Sequence, residues 1–206
     1  MSDQDAIVGA ALAALTAAGG ALLIDLELTC WEDSLRTGWA DPARPAEVIE
    51  VGLAIYRLPA RRIDASFTRL VRPLRNPQLS PYCLDLLHIP QAEIDAANDL
   101  TGVAGEISAW LDAQRVDGMP TCGWAAFDRR RMASNAATLG VPDPLAGRAH
   151  IDLEAAIAAM LRADGPLDRD VVRSRAHLPP NPRRHRALDD ALDLTHFLAL
   201  LLDTRG

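Results

Sequence analysis

The sequence predicts an α/β fold in which a mixed β-sheet is flanked by helices. Short apolar runs bounded by turn residues come first, as expected of strands, and segments with apolar residues at helical spacing follow around a returning strand. With 206 residues, of which 49% are hydrophobic and 24% charged, the chain suits one sizeable globular domain. We therefore expect residues 1–206 to form a single domain, in which residues 1–19 are an N-terminal helical extension.

The N-terminal segment from residue 6 to residue 24 carries no charged side chain, and its length raises the question of a membrane span. It consists mostly of alanine and glycine, however, and Gly19 and Gly20 divide it just before Asp25. Asp3 and Asp5 also stand where a secretory signal would have basic residues. We therefore predict an amphipathic helix, a glycine break and then a buried strand.

The remaining elements follow from local patterns in chain order. Strands are expected over residues 21–28, 48–58, 63–71 and 120–124 and around residue 151. Residues 31–45 are predicted to be a loop, and residues 164–184 are polar and rich in proline. One helix is expected to start at Ser80-Pro81, where serine can cap it and proline fits its first position. Others are expected over residues 100–113, 127–139, 153–162 and 189–202.

Four acids and one histidine lie beside apolar segments, where an unpaired charge is costly: Asp25, Glu27, Asp128, His185 and Asp190. Alternation along a strand places Asp25 and Glu27 on the same face. Hard divalent cations make such a cluster tolerable, and two of them roughly 4 Å apart can hold the attacking and leaving oxygens of a phosphodiester. The set therefore indicates metal-assisted chemistry on phosphate, with the histidine as the base.

Each of these residues also has a simpler explanation when it is considered alone. A strand end can bring Asp25 and Glu27 to solvent, and an acid at a helix start, such as Asp128, interacts favourably with the helix dipole. Asp189 and Asp190 both open the last helix, and arguments from charge and burial do not choose between them. A histidine in a loop is more often structural than catalytic. It is the combination that favours a catalytic site.

The net charge of −7, taken alone, argues against a nucleic-acid partner. Acids at a metal site contribute to this total, however, and bound cations reverse their local field. Arginines also cluster near the acids: residues 171–188 contain five arginines and no acid, and residues 129–131 are all arginine. The charge distribution is therefore compatible with a phosphate-containing partner.

Three cysteines, Cys30, Cys83 and Cys122, are isolated along the chain and form no CxxC pair. This usage predicts no structural zinc site and a reducing compartment, which we take to be the cytoplasm.

Several segments resemble the DEDDh 3′–5′ exonucleases, and within them the ERI-1-like branch that includes the histone-mRNA 3′ exonuclease. The string DLELTCWE at residues 25–32 matches the motif DLExTCWE, which is specific to that branch. Further matches follow in order: EVIEVG at 47–52, FTRLVRP at 67–73, LSPYC at 79–83, IPQAEID at 89–95, Trp124 with Asp128 as a WGxxD motif, and HRALDDA at 185–191. The resemblance covers nearly the whole chain from about residue 20.

This resemblance implies a ribonuclease H-like fold with a two-metal site. Asp25, Glu27, Asp128 and Asp190 would bind two Mg²⁺ or Mn²⁺ ions, Glu27 would also act in catalysis, and His185 would be the general base. The family spacing HxxxxD selects Asp190 over Asp189. The residues expected to contact the substrate are Leu28, Thr29, Tyr82, Trp124 and Arg186, with Tyr82 stacking on a base. The expected partner is the 3′ end of single-stranded RNA or DNA, with RNA favoured; no membrane and no protein partner is inferred.

The chain departs from the family pattern at two places. Ala125 replaces the glycine of WGxxD, and residues 86–88 are Leu-Leu-His where the branch has LTG. Both lie near the expected substrate pocket, so they bear on base preference and rate. The leading hypothesis is a metal-dependent exonuclease that releases 5′-mononucleotides. The alternatives are a hydrolase of small phosphodiesters such as dinucleotides, and a nucleic-acid-binding module without catalysis.

Overall fold

The computed structural model describes residues 2–203, and within them one mixed sheet forms the centre of the protein. Its strands are β1 (Gly20–Leu28), β2 (Val48–Arg57), β3 (Arg62–Leu70), β4 (Thr121–Gly123) and β5 (His150–Asp152), in the order β3-β2-β1-β4-β5. The antiparallel pairs β1–β2 and β2–β3 come from the early hairpins, and β4 and β5 return parallel to β1. The predicted mixed α/β sheet is confirmed, with each strand within two residues of its expected bounds.

Helices cover both faces of this sheet. They are α1 (Asp3–Ala18), α2 (Ser34–Thr37), α3 (Pro81–Leu87), α4 (Gln91–Ala96), α5 (Leu100–Gln114), α6 (Phe127–Leu139), α7 (Leu153–Leu161), α8 (Arg169–Arg175) and α9 (Ala187–Asp203). Ser80 caps α3 by accepting a hydrogen bond from the Cys83 amide at 3.0 Å, as its position before Pro81 predicted. Two helices lie in segments that were expected to be a loop or polar and rich in proline, α2 in residues 31–45 and α8 in residues 164–184.

The N-terminal segment forms the predicted helix, break and strand. Gly19 adopts φ 65° and ends α1, and the chain then enters β1 at once. Leu12 and Leu15 of α1 are buried in the same apolar cluster as α7 and α9. Across the described range, no helix combines the length and apolar character needed to cross a bilayer.

Alternation along β1 decides which side chains face which core. Leu22, Ile24 and Leu26 pack toward α5 and α6 on one side of the sheet. Ala21 and Leu23 pack against α1, α7 and α9 on the other. Because the side-chain period of a strand is two residues, Asp25 and Glu27 continue the second row and meet α9. The apolar start of β1 thus aims its two acids under the last helix.

Candidate active site

Three of the four predicted acids converge where β1 passes beneath the start of α9. One ligand oxygen each from Asp25, Glu27 and Asp190 lies within 4.8 Å of the other two. Asp25 and Glu27 are partly buried, and Asp190 is only 8% exposed. The structure therefore gathers carboxylates that are far apart in sequence into a group small enough to bind a metal ion.

The Asp190 carboxylate is held by donors from the loop before α9. Asn181 donates from Nδ2 to Asp190 Oδ1 at 3.0 Å, and the backbone amide of His185 donates to Oδ2 at 2.7 Å. Asp189, its neighbour, instead pairs with Arg183 at 2.8 Å toward the surface. The structure therefore directs Asp190, and not Asp189, into the carboxylate group.

Gly52 allows α9 to approach the sheet this closely. Gly52 is the β2 partner of Asp25 in the strand register. A Cβ atom at this position would lie 2.2 Å from the carbonyl carbon and oxygen of Ala187, the first residue of α9. Only glycine leaves room for that backbone contact, which brings Asp190 over β1. Sequence analysis missed this role, although glycine within an apolar strand is a signal of close backbone approach.

The negative charges of these acids repel one another and are only partly offset by a neighbouring cation. Burial raises the pKa of Asp25 well above its ordinary value, and the charges of Asp128, Glu27 and Asp190 raise it further. Burial is also the main cause of the raised pKa of Glu27, followed by the charges of Asp190 and Glu50. Arg169 is the cation that opposes this effect at Asp25. A hard divalent cation would remove the repulsion, so this donor set fits such an ion.

Asp128 lies near this group at the start of α6 but outside the set of oxygens within 4.8 Å. Burial raises its pKa from 3.8 to about 7, against the lowering effects of Arg169 and of backbone hydrogen bonds. Its charge in turn raises the pKa of Asp25, which shows that the two carboxylates interact. The structure thus joins three of the four predicted acids directly, and links Asp128 to them through its charge.

Metal-free protein should lose stability through these acids as the pH rises. Their pKa values are higher in the folded state than in the unfolded state. Between about pH 4 and pH 7 the folded protein therefore binds more protons than the unfolded protein, and its stability falls as the pH rises. Asp128→Asn removes one of these groups. In EDTA, its melting temperature should exceed that of the wild type by an amount that grows between about pH 5 and pH 8. A constant difference across this range would contradict the raised pKa of Asp128.

His185 lies in the loop directly before α9, with φ 62° in the left-handed region. Burial lowers the pKa of its imidazole, and the positive charge of Arg184 lowers it further, while the charge of Asp190 opposes them. The ring is therefore neutral at pH 7, the form that can accept a proton.

The predicted contacts to the 3′-terminal nucleotide differ in their exposure. Leu28 and Thr29 are buried, and the Thr29 hydroxyl donates to the Pro45 carbonyl at 2.8 Å and accepts from the Glu47 amide at 3.0 Å. These bonds fix the end of β1. Tyr82, in contrast, is exposed on α3 and lines an open cleft together with Trp31. The cleft therefore offers an aromatic surface between the loop that follows β1 and the start of α3.

The other two predicted substrate residues have protein partners. Trp124 packs edge-on against Phe197, with ring centroids 4.8 Å apart. Arg186 forms an ion pair with buried Glu50 at 2.9 Å, and the Glu50 carboxylate also accepts a hydrogen bond from the Ala187 amide at 3.1 Å. Glu50 therefore anchors the start of α9 from β2, a role that its position in an apolar strand could have suggested.

Most of the clustered arginines are also engaged within the protein. Arg173, Arg183 and Arg184 pair with Asp193, Asp189 and Asp170 respectively. Arg129 pairs with Asp143 at 2.7 Å. These ion pairs account for much of the positive charge that the sequence places near the acids.

A family model described as an exonuclease, RNase T, matches residues 22–197. The chain belongs to the RNase T exonuclease family. The match begins in β1 and ends in α9, so it contains the elements that carry Asp25, Glu27, Asp128 and Asp190.

Two curated relatives also match this chain. The 3'-5' exonuclease Snipper of Drosophila melanogaster is 32% identical over 90 residues, which cover 44% of this chain and 31% of Snipper. ERI1 exoribonuclease 3 of Homo sapiens is 26% identical over 190 residues, covering 87% of this chain and 52% of that protein. The chain thus spans about a third of one relative and half of the other. The predicted resemblance to the ERI-1-like branch is confirmed.

A solved structure confirms the fold of this chain. The nuclease domain of 3'hExo, a DEDDh family member bound to rAMP, superposes with a TM-score of 0.75 at 20% sequence identity. The superposition covers 89% of this chain and 91% of that one. The predicted ribonuclease H-like arrangement of a mixed sheet and flanking helices is therefore correct.

Proposed function

We propose that the protein is a metal-dependent 3′–5′ exonuclease that releases 5′-mononucleotides from the 3′ end of single-stranded nucleic acid, with RNA preferred over DNA. The observation that carries this proposal is the convergence of Asp25, Glu27 and Asp190 within 4.8 Å in a chain of the RNase T exonuclease family. The relatives named Snipper and ERI1 exoribonuclease 3 support 3′-end hydrolysis and RNA respectively.

In this proposal Asp25, Glu27, Asp128 and Asp190 hold two divalent ions, Mg²⁺ or Mn²⁺. When bound, the ions supply charge neutralisation at the phosphate and a lower pKa for the attacking water. The protein supplies the rigid placement of the acids: Glu27 and Asp25 are fixed by β1, and Asp190 is fixed by Asn181 and the His185 amide. Because these contacts exist before substrate arrives, the site is preorganised.

The His185 imidazole is proposed to accept the proton from the attacking water. His185→Asn keeps a polar side chain of similar size but removes the base, so turnover should fall roughly 100-fold. Binding of Mn²⁺, measured by calorimetry, should stay unchanged because the backbone amide of residue 185 still holds Asp190. Wild-type turnover in this variant would exclude His185 as the base.

We propose that the 3′-terminal nucleotide lies along Leu28 and Thr29 and that Tyr82 stacks on its base. Trp124 and Arg186 are proposed to line the same pocket. Only Tyr82 among these presents an exposed aromatic ring, so it is the residue best placed for direct contact.

The test of this function is product analysis on matched RNA and DNA 20-mers, single-stranded and duplex, labelled at the 5′ end. We expect Mg²⁺-dependent shortening from the 3′ end, one nucleotide at a time, fastest on single-stranded RNA and absent in EDTA. Internal cleavage, or shortening that persists in EDTA, would contradict the proposal.

A second candidate, a hydrolase of dinucleotides, gains support from the internal pairing of the arginines. Arg173, Arg183 and Arg184 each pair with an acid of the protein, which competes for them with the phosphates of a long strand. The comparison that separates the two functions is kcat/KM for a dinucleotide against that for the 20-mer. Higher kcat/KM for the dinucleotide would favour the second candidate.

We further propose that the chain works as one domain in the cytoplasm. Cys30, Cys83 and Cys122 are free and buried, as suits a reducing compartment. The N-terminal helix α1 shares its apolar cluster with α9, which supports folding as one unit.

A further inference from the structure

Two arginines of α8 hold one buried carboxylate of α9. Arg169 Nη2 donates to Asp193 Oδ2 at 2.8 Å, and Arg173 Nη2 donates to the same oxygen. Both guanidinium groups also lie over the ring of Phe197, at 5.5 and 5.2 Å from its centroid. The Asp193 side chain is only 5% exposed. Two cations thus share one buried anion, which leaves positive charge in excess at this point.

Only Arg169 extends from this pair to the carboxylate group. Its Nη1 atom lies 3.8 Å from Asp25 Oδ1 and 3.7 Å from Asp190 Oδ1, and its Nη2 atom donates to the Asp190 carbonyl at 2.9 Å. The second Nη of Arg173 instead donates to the Pro179 carbonyl. The Nη1 distances exceed hydrogen-bond length, so Arg169 acts on Asp25 and Asp190 mainly through its charge.

The Arg169 charge is poorly shielded by water. Its side chain is 19% exposed, and its Nε atom is buried without a hydrogen-bond partner. Charges in such surroundings interact through a lower effective dielectric than surface charges do. Arg169 accordingly lies where a further positive charge would be repelled, next to two of the oxygens that would bind a divalent cation.

We propose that Arg169 is a positioning residue that serves as a built-in counter-ion of the carboxylate group, sharing Asp25 and Asp190 with the divalent cation and thereby weakening the affinity of the site for that cation. This inference rests on the proposed metal-dependent function. Without metal, Arg169 balances part of the repulsion among the acids. With metal, its charge competes for the same two carboxylates, so the site binds the cation less tightly than its acids alone would allow.

The test is calorimetric titration of the full chain with Mn²⁺, for the wild type, Arg169→Met and Arg173→Met. Arg173 is the matched control, because it shares Asp193 and Phe197 with Arg169 but does not reach Asp25 or Asp190. Arg169→Met should bind Mn²⁺ about tenfold more tightly than the wild type, and Arg173→Met should stay within about twofold of it. In EDTA both variants should melt below the wild type, and saturating Mn²⁺ should raise the melting temperature most in Arg169→Met.

Two further variants keep the test decisive. Arg169→Gln removes the charge while keeping a polar group near Asp193, and it should also tighten Mn²⁺ binding if the methionine variant does not fold. Arg169→Lys keeps the charge and should retain an affinity close to that of the wild type.

Unchanged or weaker Mn²⁺ binding in the charge-removing variants would overturn the inference, as would equal tightening in Arg173→Met. Failure of the wild type itself to bind Mn²⁺ would instead overturn the proposed function, and this inference with it. Normal wild-type binding with no gain on removing the Arg169 charge would overturn this inference alone.

Discussion

Replacing Asp25 by asparagine is expected to abolish metal-dependent nucleotide release, with a loss of several orders of magnitude in kcat. Asp25 is central to the carboxylate group: its oxygen lies within 4.8 Å of those of Glu27 and Asp190, and its pKa responds to the charge of Asp128. Asparagine preserves shape but removes the negative charge that would hold a divalent cation. The measurement is release of nucleotides from a labelled RNA 20-mer at saturating Mg²⁺.

The same substitution should make the metal-free protein more stable, which separates lost chemistry from misfolding. Burial and three neighbouring acids make the charged form of Asp25 costly, so a neutral side chain relieves repulsion. In EDTA at about pH 8, Asp25→Asn should therefore melt above the wild type. Asp189→Asn is the matched control, because Asp189 pairs with Arg183 outside the group and should leave turnover unchanged. Full activity of Asp25→Asn would remove Asp25 from the site.

Gly52→Ala is expected to cause the largest loss of stability, about 3 kcal/mol. The new Cβ atom would lie 2.2 Å from backbone atoms of Ala187, and backbone cannot turn aside as a flexible side chain can. The start of α9 must therefore move away from β2 and carry Asp190 with it. Folded protein, assayed well below its melting temperature, should consequently bind Mn²⁺ more weakly and turn over more slowly.

Gly105→Ala provides the control for this prediction. Gly105 lies within α5, and nothing lies within 4 Å of a Cβ atom built on it. Alanine should stabilise this helix by about 1 kcal/mol through its higher helix propensity. Urea unfolding of both variants measures the two effects, and equal stabilities for Gly52→Ala and the wild type would contradict the close contact described above.

Local patterns were sufficient for most elements that carry the site. The short apolar run at residues 21–28 correctly predicts a strand, and side chains alternate along a strand, so Asp25 and Glu27 are expected on one face. The serine–proline pair at residues 80–81 correctly predicts the start of α3, and the helix expected over residues 127–139 has the bounds of α6. These signals succeed because they depend on the backbone preferences of a few adjacent residues.

The helix α8 could not be predicted in this way, because distant partners hold it in place. Its residues show little apolar periodicity, and Arg169 and Arg173 are held by Asp193 and Phe197 of α9. Glu50 and Gly52 were missed for the same reason, since their partners at the start of α9 lie more than a hundred residues further along the chain. The resemblance to DEDDh exonucleases, and not any local pattern, chose Asp190 over Asp189.

The distance in sequence between these acids has a consequence for the order in which the protein folds during synthesis. Asp25 and Glu27 belong to the first strand, whereas Asp190 belongs to the last helix. A growing polypeptide can complete the whole sheet, from β1 to β5, before residue 190 has been synthesised. The carboxylate group is therefore among the last long-range contacts to close, and its metal affinity should appear only when α9 docks across β1, well after most of the helix and strand content has formed.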